Sequence, residues 1–302
     1  MPRRLADDLI LLGDNLDVLP RFADGAFQLV YADPPFNTGK RQTRRTIEAR
    51  AAPGGDRSGF GGRRYRTRLL AESSYPDTFD DYLGFLEPRL REIRRLLAET
   101  GTLYLHLDYR EAHYCKLLLD EVFGRDCFLN EIVWAYDYGA RPRRRWPAKH
   151  DTILVYVKHA RLYHFDSEAV DREPYLAPGL VGPEKAARGK APTDTWWWTI
   201  VSPTGKEKTG YPTQKPEAIV RRMIQASTRP GDWCLDPFAG SGTLGAAARA
   251  LGRRFVLVDS NPEAVAVSAR RLGLATPREA LGAPKRKESV SISSRTAKRP
   301  TV

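Results

Sequence analysis

Cysteine is scarce in this 302-residue chain: Cys115, Cys127 and Cys234 are an odd number, and no two stand in a Cys-x-x-Cys spacing. That count argues against a disulfide framework and against a thiolate metal site. No apolar run reaches the ~18 residues that would read as a membrane span, and no secretory leader or internal repeat is recognisable. The expectation is a cytoplasmic protein without membrane or metal. Acid is in shorter supply than base, with 37 Asp and Glu against 49 Lys and Arg, a net charge of +12. The excess is local. Residues 40–68 hold ten Lys or Arg against Glu48 and Asp56, residues 281–302 hold six against Glu288, and the rest of the chain is close to neutral. Segments so basic and so rich in Gly, Ser and Pro suit contact with a polyanion and are expected to be flexible.

What is present is a series of short apolar runs: Leu9 to Leu12, Phe27 to Ala32, Thr102 to Leu107, Leu129 to Ala135, Thr152 to Val157, Trp233 to Leu235 and Phe255 to Val258. Such runs read as buried strands. Helical periodicity fills the gaps at Asp80 to Leu97, Arg110 to Val122, Pro216 to Ala226, Thr243 to Leu251 and Pro262 to Leu272. Pro216 and Pro262 suit first-turn positions, with Thr213 to Lys215 and Asn261 as caps. Alternating strands and helices predict an α/β fold with a doubly wound, seven-stranded, mostly parallel sheet. Ligands bind such sheets at the carboxyl ends of the strands.

Two of those strand ends carry chemistry. The first runs into Asp33-Pro34-Pro35-Phe36-Asn37. Each proline fixes φ and removes a donor, so the corner is rigid and its carbonyls and carboxylate stay free. Asp33 and the Pro34 carbonyl can then accept both hydrogens of an exocyclic amine while Phe36 offers a stacking face. The second end runs into Asp236-Pro237-Phe238-Ala239-Gly240-Ser241-Gly242, where glycines let backbone approach a ligand ahead of a helix.

With Tyr211-Pro212-Thr213-Gln214-Lys215-Pro216, Gly101 to Asp108 and Asn130 to Trp134, these motifs resemble the amino-group DNA methyltransferases that use S-adenosylmethionine, in the permuted (beta) order with the amine motif first. The resemblance covers roughly residues 8 to 272. It implies a circularly permuted class I methyltransferase fold in which the strands ending at Ala32 and Leu235 are neighbours. It divides the chain into a catalytic half at 8–158 with a flexible basic insertion at 40–72, a target-recognition region at 159–210, a cofactor-binding half at 211–275 and a disordered basic tail at 276–302.

The resemblance also assigns roles. Asp33, Pro34, Pro35 and Phe36 are the catalytic corner. Asp236 lies beside the methionine amino group of the cofactor, and Pro237, Phe238, Ala239, Gly240, Ser241 and Gly242 line it. Asp259, at a strand end about 20 residues past the glycines, binds the ribose hydroxyls. Thr213, Gln214 and Lys215 hold the methionine carboxylate, and Asp14 in Gly13-Asp14-Asn15 approaches the adenine. Contacts to double-stranded DNA are expected from Arg44, Arg45, Arg63, Arg64, Arg141, Arg143, Arg144, Arg145 and Lys149, the last five around Trp146.

The cysteines narrow the reaction. Methylating a ring carbon of cytosine needs a cysteine nucleophile, usually after proline, and these three follow Tyr, Asp and Trp. An exocyclic amine needs no covalent intermediate. Adenine-N6 methylation leads because Asp begins the motif. Cytosine-N4 methylation, RNA methylation and a catalytically dead DNA-binding module are the alternatives, and a glutamine methyltransferase would carry Asn at position 33. A homodimer and a separate restriction endonuclease partner both remain open, and about 300 residues leave no room for a nuclease domain beside the methyltransferase.

Overall fold

The computed structural model describes residues 5–58, 64–77, 79–139, 141–202 and 205–277. Eleven strands are formed: β1 (Leu9–Leu12), β2 (Phe27–Ala32), β3 (Lys40–Ala51), β4 (Arg57–Ser58), β5 (Arg64–Asp77), β6 (Leu97–Asp108), β7 (Phe128–Ala135), β8 (His150–Val157), β9 (Thr195–Trp197), β10 (Trp233–Asp236) and β11 (Arg254–Asp259). Eight of them make one sheet in the order β1-β11-β10-β2-β6-β8-β7-β9. Within it only β8 runs antiparallel to its neighbours. The amino-terminal β1 pairs with β11 from the far end of the chain, Leu9 opposite Val256. β10 pairs with β2, Cys234 opposite Leu29 and Leu235 opposite Val30. The two chemistry-bearing strand ends therefore adjoin across 203 residues of sequence.

Among the described residues seven α-helices follow: α1 (Asn15–Val18), α2 (Tyr82–Leu96), α3 (Ala112–Phe123), α4 (Pro183–Arg188), α5 (Glu217–Ser227), α6 (Thr243–Ala250) and α7 (Pro262–Leu272). Side chains alternate across a strand, so β2 sends Val30 and Ala32 toward α2 and α3 and Leu29 and Tyr31 toward α5, α6 and α7. Leu86, Leu90 and Ile93 of α2 and Cys115, Leu119 and Val122 of α3 repeat every three or four residues and fill the first layer. Ile219, Val220, Met223 and Ile224 of α5 fill the second. Burial on both faces explains why the strands read as continuous apolar runs.

Three features depart from the sequence reading. An eighth strand, β9, joins the sheet because Trp196 is buried and its backbone pairs with Trp134. The basic segment expected as a flexible loop is instead paired, β3 against β5 from Lys40↔Asp77 to Ala51↔Tyr65, with β4 as a third strand. Arg64, Arg66 and Arg68 alternate with Tyr65 and Thr67, and that period of two was hidden by the charge and the surrounding glycines. Helix α5 begins one residue later than expected, with Pro216 at its cap position, and Glu207 rather than Thr213 to Lys215 accepts the Glu217 N–H at 3.1 Å. Asn261 does cap α7, accepting from Glu263 N at 2.9 Å. No helix among the described residues is long and apolar enough to cross a membrane.

Candidate active site

The corner after β2 is held by groups that its own sequence does not contain. The Pro35 carbonyl accepts from the Tyr82 hydroxyl at 2.7 Å. Asn37 takes a left-handed backbone, φ 52°, fixed on three sides: its N–H donates to Asp77 at 2.8 Å, its side-chain amide donates to Glu111 at 2.8 Å, and its side-chain oxygen accepts from Phe79 N. Asp77 also receives the Thr38 N–H and hydroxyl. The end of β5 is thereby tied to the corner. No donor among the described residues reaches the Pro34 carbonyl, which stays available.

Under Phe36 lies a buried polar chain. His106, fully buried on β6, sits 5.9 Å from the Phe36 ring. Its Nε2 is 3.2 Å from Asp151 and its Nδ1 is 2.8 Å from the Tyr31 hydroxyl, while Tyr136 donates to the other Asp151 oxygen at 2.9 Å. A carboxylate only accepts, so Nε2 carries a proton and donates to Asp151, while Nδ1 shares a hydrogen bond with the Tyr31 hydroxyl. Burial, then the nearby Asp33 charge, pushes the Tyr31 hydroxyl well above its ordinary range, which keeps it protonated. Burial works against a charged Asp151, but the His106 contact, then the nearby Lys215 charge and the Tyr136 hydrogen bond, outweigh it and hold the carboxyl below the usual range. None of these four residues was singled out from the sequence. A histidine inside the apolar run Tyr104 to Leu107 was the available signal.

The second corner is equally built. Gly240 has φ +49° and Gly242 φ +73°, a region that favours glycine, and a Cβ on Gly242 would come within 2.9 Å of Ser268. Asp259 accepts from Gly240 N at 2.8 Å with one oxygen and from Asn261 N at 2.8 Å with the other. It is thus both a loop clamp and a helix-start acceptor, with lone pairs left for ribose hydroxyls. Asp236 is 2% exposed and accepts from Phe238 N at 3.0 Å. Burial, reinforced by Asp33 and Asp259, pushes its carboxyl well above the usual range. Burial also raises that of Asp259.

Both corners face one cavity of about 370 Å³, within the range of small-molecule sites. Pro237, Phe238, Ala239, Gly240, Ser241 and Thr213 are in its wall, and Gly242 stands just behind as the cap of α6. Asp14 is there too, capping α1 through Leu16 N and paired with Arg89 at 3.1 Å. The cavity fits S-adenosylmethionine on two observations. Its lining holds five carboxylates (Asp14, Asp33, Asp77, Asp236, Asp259) against two cations, Arg89 and Lys215, an excess that suits a sulfonium and an ammonium. Asn15 Oδ1 and Arg89 Nε, both buried in that wall, have no hydrogen-bond partner among the described residues, as befits a site that completes its bonds with a polar ligand.

The carboxylate-holding group is arranged differently from the expectation. Gln214 is engaged within its own loop, accepting from the Thr209 N–H and hydroxyl and donating to the Glu207 carbonyl. The Thr213 hydroxyl donates to the Pro212 carbonyl. Lys215 reaches Asp33, with its ammonium 2.7 Å from both carboxylate oxygens.

Around the rim, the β7–β8 connection projects from the same edge of the sheet. Arg143, Arg144 and Arg145 are exposed, Trp146 is 94% exposed, and Arg145 lies beside Tyr109. Arg141 pairs with Asp137, and Lys149 donates to the Tyr138 and Gly139 carbonyls, which holds the loop rather than leaving the ammonium free. On β5, Arg64, Arg66 and Arg68 are exposed on one face. The side chains of Arg44 and Arg45 and the whole of Arg63 lie outside the described residues, as does 278–302 of the tail. No cluster of three or more His, Cys, Asp or Glu among the described residues could hold a metal.

Comparison with known proteins bears on this arrangement. A DNA adenine methyltransferase of Escherichia coli K12, YhdJ, is 30% identical over 296 residues, covering 95% of this chain and 90% of that one. The type II methyltransferase M.HpaI of Haemophilus parainfluenzae is 29% identical over 266 residues, 88% of this chain and 74% of its own. Among solved structures, the M1.HpyAVI–SAM complex superposes with TM-score 0.57 at 22% identity, covering 88% of this chain and 99% of that one. The cytosine-N4-specific PvuII DNA methyltransferase does so with TM-score 0.61 at 16% identity, covering 89% and 90%. These two share the fold, the doubly wound class I methyltransferase sheet. The DNA methylase family model for N6 and N4 amino methylation matches residues 27–270, and the chain belongs to that family of S-adenosylmethionine-dependent DNA methyltransferases.

Proposed function

We propose that this enzyme methylates the exocyclic N6 amine of adenine at specific sites in duplex DNA. The observation that carries the reading is that β2 and β10 are paired neighbours, so the Asp33-Pro34-Pro35-Phe36 corner and the Asp236 to Gly242 loop open into one cavity. S-adenosylmethionine, when bound, supplies an electrophilic methyl group on sulfur. The Gly240 to Gly242 backbone, Asp236 and Asp259 would hold it, and Lys215 would face its carboxylate. The residues of the first corner do the rest. Asp33 and the Pro34 carbonyl accept the two amine hydrogens and turn the nitrogen lone pair out of conjugation with the ring. Phe36, backed by His106, stacks on the extruded base. Asp33 need not be a strong base, because the proton can leave after transfer, and positioning carries most of the rate.

Adenine rather than cytosine is favoured by the Asp at position 33 and by the likeness to YhdJ. The β5 arginines and Arg143 to Arg145 are assigned to DNA phosphates. Trp146, exposed beside these arginines, is assigned to stacking against bases at the rim. A DNA substrate and the likeness to methyltransferases of Escherichia coli and Haemophilus parainfluenzae support a cytoplasmic location. Incubating DNA with labelled cofactor and identifying the methylated nucleoside tests the assignment: N6-methyladenine is expected, and N4-methylcytosine or no label in DNA would overturn it.

A further inference from the structure

Lys215 occupies the place reserved for the substrate. Its ammonium is held by both Asp33 oxygens at 2.7 Å and lies 4.5 Å from the centre of the Phe36 ring. Those are the two groups that would accept the amine and stack the base. The pair is only 9% and 19% exposed, so water screens it weakly. While that chelate persists the ammonium stands on both Asp33 oxygens and beside the Phe36 ring, so an incoming amine has to compete with it for the carboxylate and the stacking face.

The loop that carries Lys215 is anchored on either side. Thr213 has φ 56°, Gln214 is bonded to Thr209 and Glu207, and α5 starts two residues after Lys215. The flexible part is the four-carbon lysine stem. Of the cavity's two cations Arg89 pairs with Asp14 beside α1, whereas Lys215 stands two residues before α5, so a ligand carboxylate near the start of α5 would compete with Asp33 for the Lys215 ammonium.

We propose that Lys215 is a shuttling positioning residue: it chelates Asp33 and closes the amine site until the methionine carboxylate of the cofactor takes its ammonium. The idea rests on the methyltransferase reading above. Its consequence is that donor and base bind with positive coupling, each tightening the other by the same factor.

The test is calorimetry on the full chain with two probes, S-adenosylhomocysteine and 5′-deoxy-5′-methylthioadenosine, which lacks the amino-acid carboxylate. Asp33→Asn removes the competitor and should tighten S-adenosylhomocysteine by about fivefold or more, leaving methylthioadenosine unchanged. Lys215→Met should weaken S-adenosylhomocysteine alone, and in that background Asp33→Asn should no longer tighten it. The sign is decisive. If Asp33 merely attracted the ligand's ammonium, Asp33→Asn would weaken binding. Unchanged or weakened S-adenosylhomocysteine affinity in Asp33→Asn, equal shifts for both probes, or tightening that survives Lys215→Met would each overturn the proposal. Should Lys215→Met lose methylthioadenosine too, and hence its fold, the Asp33→Asn comparison still decides. Failure of the underlying reading looks different: neither probe would bind the wild-type chain.

Discussion

The sharpest structural prediction concerns His106, which touches no substrate but ties β2, β6 and β8 together beneath the stacking ring. Replacing it with Leu keeps much of its volume while leaving the Tyr31 hydroxyl and one Asp151 oxygen, at 2.8 and 3.2 Å from the imidazole, without their partner. Each orphaned buried group costs about 1–3 kcal/mol, so His106→Leu should lose about 2–6 kcal/mol. At roughly 2–4 °C per kcal/mol for a protein this large, melting should fall by at least about 4 °C. Tyr31→Phe orphans only His106 Nδ1 and should cost about half as much. In the double variant the two losses should sum to less than their parts, because the shared bond is already gone. Differential scanning calorimetry of the three variants measures this. A His106→Leu melting point within about 1 °C of wild type, or strictly additive losses, would show that the chain is not the coupled network described.

Other outcomes follow from the same geometry. Phe36→Ala should lose about 1–3 kcal/mol of base stacking and a corresponding ~5- to 150-fold in kcat/KM, with Phe36→Tyr close to wild type; equal losses in both would remove stacking as the cause. Asp236 has a carboxyl raised by burial, so its contribution to the ligand-free fold is complete below the ordinary aspartate value of 3.8 and is lost as pH rises through its elevated value. Asp236→Asn should therefore melt higher than wild type at pH 7 without ligand, with the gap closing toward pH 4, and should bind S-adenosylhomocysteine more weakly; parallel melting curves across that window would contradict the burial argument. Replacing Arg66 and Arg68 with Ser should weaken cognate and random duplexes alike and lower the slope of log affinity against log salt by about 0.9 for each phosphate contact removed. A loss confined to cognate DNA would make β5 a base reader.

Much of this site was legible because its key parts are contiguous in sequence. Asp33 to Phe36 and Asp236 to Gly242 each carry their backbone logic in consecutive prolines and glycines, and the strand order that makes them neighbours was implied by the family resemblance. What escaped was assembled across the sheet. The chain Tyr31, His106, Asp151, Tyr136 draws on three strands and the residue just past the end of β7, and Asp77 reaches Asn37 from 40 residues away; no spacing announces either. Lys215 was placed in the site but not on its partner, since a lysine before a helix start serves a ligand carboxylate or a protein carboxylate equally well. The strands β3 and β5 were missed because arginine at alternate positions reads as charge before it reads as period two.

The account stands most directly on the amine held by Asp33. Wild-type enzyme and Asp33→Ala, both first shown to bind S-adenosylhomocysteine, should be incubated with duplex DNA and methyl-labelled cofactor, and the digested nucleosides separated by mass. The account predicts N6-methyladenine from the wild type and none from the variant. Labelled adenine from Asp33→Ala at a rate near wild type, or label carried on cytosine instead, would contradict it.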